Sequence, residues 1–170
     1  LKSTLSKDEL PKAMFYGSMN GGKRIRPFIV KVFSKIAGIK KEKYMRLSAA
    51  IECIHSYSLI HDDLPSMDND DYRRGKLSVH KKFGEAEAIL AGDSLHDLAF
   101  EIISHQKTKM KVDTRIELIN KLANLIGFKG LAGGQSLDLL FEKKKINIKK
   151  ILNMYEMKTA ALFSFACASP

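Results

Sequence analysis

The sequence predicts an all-α bundle. Apolar residues recur at helical spacing along the chain, and no convincing alternating strand pattern interrupts them. The breaks fall at Gly, Pro and Asn-Gly positions, where helices end. With 170 residues, 45% of them hydrophobic, the chain can bury a sizeable core as a single domain.

A first helix is expected from Lys7 to about Ser18, broken by Asn20-Gly21-Gly22. A second should start near Arg24, with Pro27 in the first turn, where the missing N–H costs nothing. Phe28, Ile29, Val32, Phe33 and Ile36 form its apolar face, and Gly38 stops it. A long helix covers about Glu42 to Leu64 and ends at Pro65. A loop spans Ser66 to roughly Lys82. Helices follow at about Gly84 to Ser104, Asp113 to Phe141 and Ile148 to Ser169. There is no internal repeat, low-complexity segment or domain linker.

Charge narrows the ligand class. The net charge is +10, which on its own points toward nucleic acid. However, 23 of the 29 basic residues are Lys, scattered on solvated faces without interleaved aromatics. Four of the six Arg (Arg24, Arg26, Arg73, Arg74) fall in two short motifs. Arg supplies a bidentate fork, so this asymmetry favours a small anionic ligand over a nucleic-acid surface. No run approaches the roughly eighteen apolar residues of a membrane span, so no stable membrane insertion is expected. Cys53 and Cys167, both in apolar helical context, argue against a disulfide framework and for a reducing, cytoplasmic compartment. The first residue is Leu1, not Met, so the natural start of the chain is expected to lie upstream.

The most informative stretch is His61 to Lys76, HDDLPSMDNDDYRRGK, which holds five of the ten Asp of the chain. Carboxylates this close repel one another, and a folded chain keeps them when something cancels the charge. A hard divalent cation does so through oxygen ligands. Arg73 and Arg74 follow at once, and guanidinium forks suit phosphate oxygens. Together they suggest a magnesium-bridged phosphate or diphosphate site. On the long helix His55, Leu59 and Asp62 are spaced i, i+4, i+7 and share a face. Asp68 lies six residues beyond Asp62, on another face of an unbroken helix, but Pro65 lets the loop fold back. Two convergent carboxylates with water in the other positions suit Mg²⁺, with Asp63 as a bridging or outer group. Asp70 and Asp71 read equally well as ligands or as salt-bridge partners.

Three further constellations stand out. In Gly21-Gly22-Lys23-Arg24-Ile25-Arg26-Pro27 two glycines permit close approach, a helix N-terminus follows, and Lys23 and Arg26 are neighbours on the first turn. Gly133-Gly134-Gln135 lies inside an expected helix, where two Gly cost about 2 kcal/mol against Ala, so a neighbouring helix or a ligand must come close. Gln135 and Asp138 share a face there. Lys158-Thr159 interrupts an apolar helix, where a Lys needs an anionic partner or one of these Asp residues. His61, His80, His96 and His105 show no metal-ligand spacing and read as surface or capping residues.

In order along the chain, these motifs resemble those of the trans-isoprenyl diphosphate synthases, the polyprenyl synthetase family. DDLPSMDNDDYRRGK is similar to the first aspartate-rich motif, with four residues between Asp63 and Asp68, and GGKRIRP to the isopentenyl diphosphate motif. ECIHSYSLIHDD, FGEAEAILAGDSL, GGQSLDL and the KT pair also match, from about Met14 to Ala168. The resemblance implies a helical bundle around a central cavity and a homodimer. It implies that Asp62 and Asp68, with Asp63 close by, hold Mg²⁺ against an allylic diphosphate, and that Arg73 contacts that diphosphate. It assigns Lys23, Arg26, His55 and Arg74 to isopentenyl diphosphate, and Lys158, Thr159 and Gln135 to the allylic side. The implied reaction is head-to-tail condensation with release of pyrophosphate. Tyr57, five residues before Asp62, is expected to act as the floor that stops the tail at the fifteen carbons of farnesyl diphosphate. Geranylgeranyl diphosphate is the runner-up product.

The chain departs from the family in one respect. It contains no second aspartate-rich motif, so residues 1–170 are read as an incomplete domain that does not complete its metal site. A non-catalytic subunit of a heteromeric synthase would be expected to have a degraded first aspartate motif, and here it is whole. A class I terpene cyclase has no second diphosphate to hold, which GGKRIRP contradicts.

Overall fold

The computed structural model describes residues 8–170. Helices dominate them, as the apolar spacing predicts. The first helix, α1, is Glu9–Met19; Lys7, its expected first residue, lies outside the described residues. Helix α2 is Ile25–Ile36 and α3 is Lys41–Asp62. Helix α5 is Glu85–Ser104. These bounds lie within two residues of those expected, because a glycine pair, Gly38, Pro65 and Gly84 set them.

Three segments differ from expectation. The loop after Pro65 is not featureless. It holds a two-stranded antiparallel hairpin, β1 Tyr72–Arg73 and β2 Lys76–Leu77, followed by the short helix α4, Val79–Phe83. Tyr72 pairs with Leu77 and Arg73 with Lys76. The two-residue turn takes φ +55° at Arg74 and +75° at Gly75, the left-handed pair whose twist suits a tight hairpin. Strands of two residues leave no alternation to read. The helix expected over Asp113 to Phe141 is two, α6 (Val112–Ile126) and α7 (Leu131–Phe141). The Gly127–Gly130 turn between them is closed by a Gly130 N–H to Gly127 carbonyl bond of 2.9 Å. The last helix is α8 (Ile148–Tyr155) and α9 (Ala161–Ala168), joined without a break by a π turn, Glu156–Ala160.

The described residues form two compact units. One takes the chain up to Arg24 and Ala49–Glu101; the other takes Ile25–Ser48 and Ile102–Pro170. In the first, Ala13 of α1, Ile60 and Leu64 at the end of α3, Val79 of α4 and Ala88, Ala91 and Leu95 of α5 make one apolar cluster. Leu10, Met14, Tyr57 and Phe83 pack around it. In the second, α9 packs against α2 and α6, and α7 packs against α8 and the π turn. Val30, Leu118, Leu122, Leu162 and Phe165 are buried there. No helix of the described residues is long and apolar enough to cross a membrane.

Candidate functional site

The aspartate-rich loop belongs to the first unit. Helix α3 ends at Asp62, and the chain turns back at once. The Asp68 amide donates to the Asp62 carbonyl at 2.9 Å, and the Asn69 amide donates to the Leu64 carbonyl at 3.1 Å. The return that Pro65 makes possible is therefore made, and it brings the two ends of the motif together at the backbone. Asp62 is half-buried and Asp68 exposed.

The other carboxylates are engaged. Asp63 is only 2% exposed. Its Oδ1 accepts from Arg73 Nε at 2.8 Å and also from Arg73 Nη2. Burial pushes the Asp63 carboxyl up, against the opposing pull of the Arg73 hydrogen bond and charge. The Arg73 guanidinium is pushed up, first by its hydrogen bond to Asp63. Asp70 pairs with Arg73 at 3.2 Å and Asp71 with Lys81 at 2.9 Å, so both serve as salt-bridge partners. Among the described residues no group of three or more His, Cys, Asp or Glu is arranged to hold a metal ion. The loop thus brings Asp62 and Asp68 together, while Asp63 turns to Arg73. Two carboxylates fit a hard cation that keeps several of its waters, which is how Mg²⁺ is commonly bound.

The glycine-rich loop sits in the same unit. Arg24 adopts φ +50°, a left-handed conformation that costs a non-glycine residue on the order of 1 kcal/mol or more. Its guanidinium ion-pairs with Glu52 of α3, and Nη2 donates to the Ser18 carbonyl at 2.8 Å. Gly22 has φ +104°, and a Cβ there would lie 2.4 Å from Arg74 Nη1. Arg74 therefore lies over the loop, its Nη1 donating to the Gly21 carbonyl at 2.5 Å. Lys23 is exposed and His55 half-buried on α3. The Arg24–Glu52 pair was not read from the sequence. Its only signal there is an Arg in a Lys-rich chain.

Tyr57 is half-buried, its ring edge-on to His61 and His96 with centroids 5.0 and 5.2 Å away. Burial, followed by the charges of Asp62 and Asp93, pushes its phenol up. The histidines need a correction. His105 does cap, accepting from the Lys107 amide at 3.0 Å. His80 is buried, not on the surface, and its Nδ1 lies 3.0 Å from Ser78 Oγ. His61 is half-buried, with Nε2 3.1 Å from the Ile89 carbonyl. Each ring fills space in an apolar wall, which spacing alone cannot show.

The second unit holds the remaining residues. A Cβ on Gly134 would lie 2.2 Å from the Lys158 amide nitrogen, so the close approach required by the glycines is made by the π turn. The extra residue in that turn places Lys158 over α7, and Lys158 Nζ donates to Asp138 Oδ2 at 2.5 Å. Lys158 thus finds its anionic partner among the Asp residues of the chain. Thr159 is exposed beside it. Gln135 is 6% exposed, and neither side-chain amide atom has a hydrogen-bond partner. Such a group is costly unless something occupies the space it faces. Arg26 stacks over the Phe163 ring, 4.6 Å from its centroid.

This fold recurs among isoprenoid synthases. An FPP/GFPP synthase from Zymomonas mobilis superposes with a TM-score of 0.92 at 44% identity, covering 97% of this chain and 61% of that one. A geranyltransferase from Legionella pneumophila gives 0.93 at 36% identity, covering 97% and 59%. Residues 7–170 match the family model for polyprenyl synthetase, and the chain belongs to that family. Farnesyl diphosphate synthase of Escherichia coli is 47% identical over 91% of this chain and 52% of its own length. The enzyme of the same name from Bacillus subtilis is 43% identical over 93% and 54%. A dimethylallyltranstransferase from Fischerella ambigua is 44% identical over 94% and 46%. The chain spans about half the length of these curated relatives.

Proposed function

We propose that the chain is the N-terminal part of a farnesyl diphosphate synthase, which joins isopentenyl diphosphate to dimethylallyl or geranyl diphosphate head to tail. The observation that carries this reading is the aspartate loop, folded so that Asp68 meets Asp62 at the end of α3, in a chain of the polyprenyl synthetase family. Asp62 and Asp68 hold Mg²⁺, which neutralises the diphosphate leaving group as it departs. Asp63, inside its pair with Arg73, sets the direction of that guanidinium toward the allylic diphosphate. Lys23, Arg26, His55 and Arg74 bind isopentenyl diphosphate. Lys158, Thr159 and Gln135 act on the allylic side, where Lys158 exchanges Asp138 for a phosphate oxygen. Preorganised positive charge meets the charge that develops on the leaving pyrophosphate, and this lowers the barrier.

Tyr57 supports the fifteen-carbon product. It lies five residues before Asp62 on α3, about 7.5 Å along the axis at ~1.5 Å per residue. A prenyl tail anchored near Asp62 and running down the helix would meet that ring. The exposed Val112 and Ile116, one turn apart on α6, support a second copy as partner. The two free cysteines support a reducing, cytoplasmic compartment.

Incubating the whole protein with Mg²⁺, isopentenyl diphosphate and geranyl diphosphate, then separating the dephosphorylated products, tests the reading. Farnesol is expected, and Tyr57→Ala should shift products to twenty carbons or longer. An unchanged distribution would remove Tyr57 as the floor, and no condensation at all would remove the function. Residues 1–170 alone are expected to show no turnover.

A further inference from the structure

Glu52 belongs to none of the motifs that bind ligand, yet it holds one of them. Its side chain is 15% exposed and ion-pairs with Arg24. Its second oxygen, Oε2, is buried and accepts no hydrogen bond from the protein. Arg24 is the only one of residues 23–26 whose backbone is left-handed, and the two contacts of its guanidinium, to Glu52 and the Ser18 carbonyl, fix it from both sides. Lys23 precedes it and α2 begins at the next residue. His55 lies three residues beyond Glu52, on the neighbouring turn of α3. A carboxylate that is largely desolvated, half-satisfied and attached to a strained residue is an expensive arrangement. It fits a requirement for one fixed loop conformation rather than for stability alone.

We propose that Glu52 is a positioning residue for the diphosphate of the homoallylic substrate: through Arg24 it locks the left-handed backbone that sets Lys23 and the first turn of α2 beside His55. The inference rests on the function proposed above. Without the carboxylate, Arg24 is released, its backbone relaxes toward ordinary φ values, and Lys23 loses its fixed position. The allylic diphosphate does not depend on this loop, so its binding should be spared.

Steady-state kinetics of the whole protein carrying Glu52→Gln tests this. The KM for isopentenyl diphosphate should rise about tenfold, the range of one lost charge-assisted hydrogen bond. The KM for geranyl diphosphate and kcat should stay within about threefold. Arg24→Gln should reproduce the effect, and the double variant should add little to either single one. Arg24→Lys keeps the charge but can reach only one of the two acceptors, so it should fall between; it also carries the test should Glu52→Gln fail to fold. Unchanged KM values with a lowered melting temperature, or an equal rise in both KM values, would overturn the proposal. Calorimetric titration with inorganic pyrophosphate separates the two readings. If wild-type protein catalyses no condensation, the function fails, and Glu52 is then judged by pyrophosphate affinity alone. A loss of about tenfold in Glu52→Gln upholds it, and no change overturns it.

Discussion

Two ion pairs, one in each unit, bind an Asp to a basic residue of the proposed site, and their burial separates what they can do. Asp63 is buried and takes two donors from Arg73. Asp138 and Lys158 are 39% and 23% exposed and share a single contact. A buried pair is costly to open, because the partner left behind is a desolvated charge. A half-exposed pair is worth little, because water replaces either partner. Asp63–Arg73 is therefore a fixed part of the scaffold, whereas Lys158 can leave Asp138 for an arriving phosphate at small cost. The two basic residues look equivalent in sequence, and only burial separates their roles.

The largest effect expected bears on the carboxylates outside both pairs. Asp62→Ala or Asp68→Ala in the whole protein should lower turnover on the order of a hundredfold or more, since charge stabilisation is lost in the transition state. Asp138→Ala should cost far less. Near wild-type turnover in both Asp62→Ala and Asp68→Ala would undo the metal assignment.

Next in size is stability. Asp63→Asn should cost about 3–5 kcal/mol in urea unfolding by opening a buried pair. Asp138→Asn should cost about 1 kcal/mol or less. Similar losses at both positions would erase the distinction between fixed and exchangeable pairs.

A smaller, directional effect concerns the substrates. Arg26→Ala or His55→Ala should raise the KM for isopentenyl diphosphate about tenfold and leave the allylic KM nearly unchanged. Arg73→Lys should do the reverse, because a Lys keeps the charge but loses the fork. Equal changes in both KM values would mean that the two diphosphates are wrongly divided.

The smallest effect contrasts the cysteines. Cys167 is exposed, whereas burial, followed by the Glu52 charge, pushes the Cys53 thiol up to about 11 from an ordinary 9.0. At pH 8 a thiol reagent should label Cys167 at once and Cys53 only on unfolding. Because the native value is the higher one, the contribution of Cys53 to stability is complete below pH 9. It is lost as pH rises through about 11. Melting curves of wild type and Cys53→Ala should therefore converge over that interval, and parallel curves would contradict it.

Helices with strong punctuation were legible in the sequence: α2, α3 and α5 end where Gly, Pro or Asn-Gly demand it. The return of Asp68 to Asp62 was legible too, because Pro65 permits only a turn there. The hairpin was not, since two-residue strands carry no period. The break at Gly127–Gly130 was missed because the apolar spacing of α6 and α7 continues across it. The pairing of Lys158 followed from the cost of a Lys in an apolar helix. The pairing of Asp63 with Arg73 rather than with a cation did not follow, because five neighbouring carboxylates do not announce which one the core will bury.

The π turn at Glu156–Ala160 amounts to one residue more than an α-helix needs. Each residue of an α-helix advances the side chains by about 100°. Deleting one residue from this turn would restore ordinary helix and swing everything after it by that angle. The face of α9 that now buries Leu162 and Phe165 would then point elsewhere, and so would Lys158. Single-residue deletions in a helix are usually absorbed at its ends. Here the surplus residue is locked in the middle by packing on both sides, so the length of this helix is fixed to the residue.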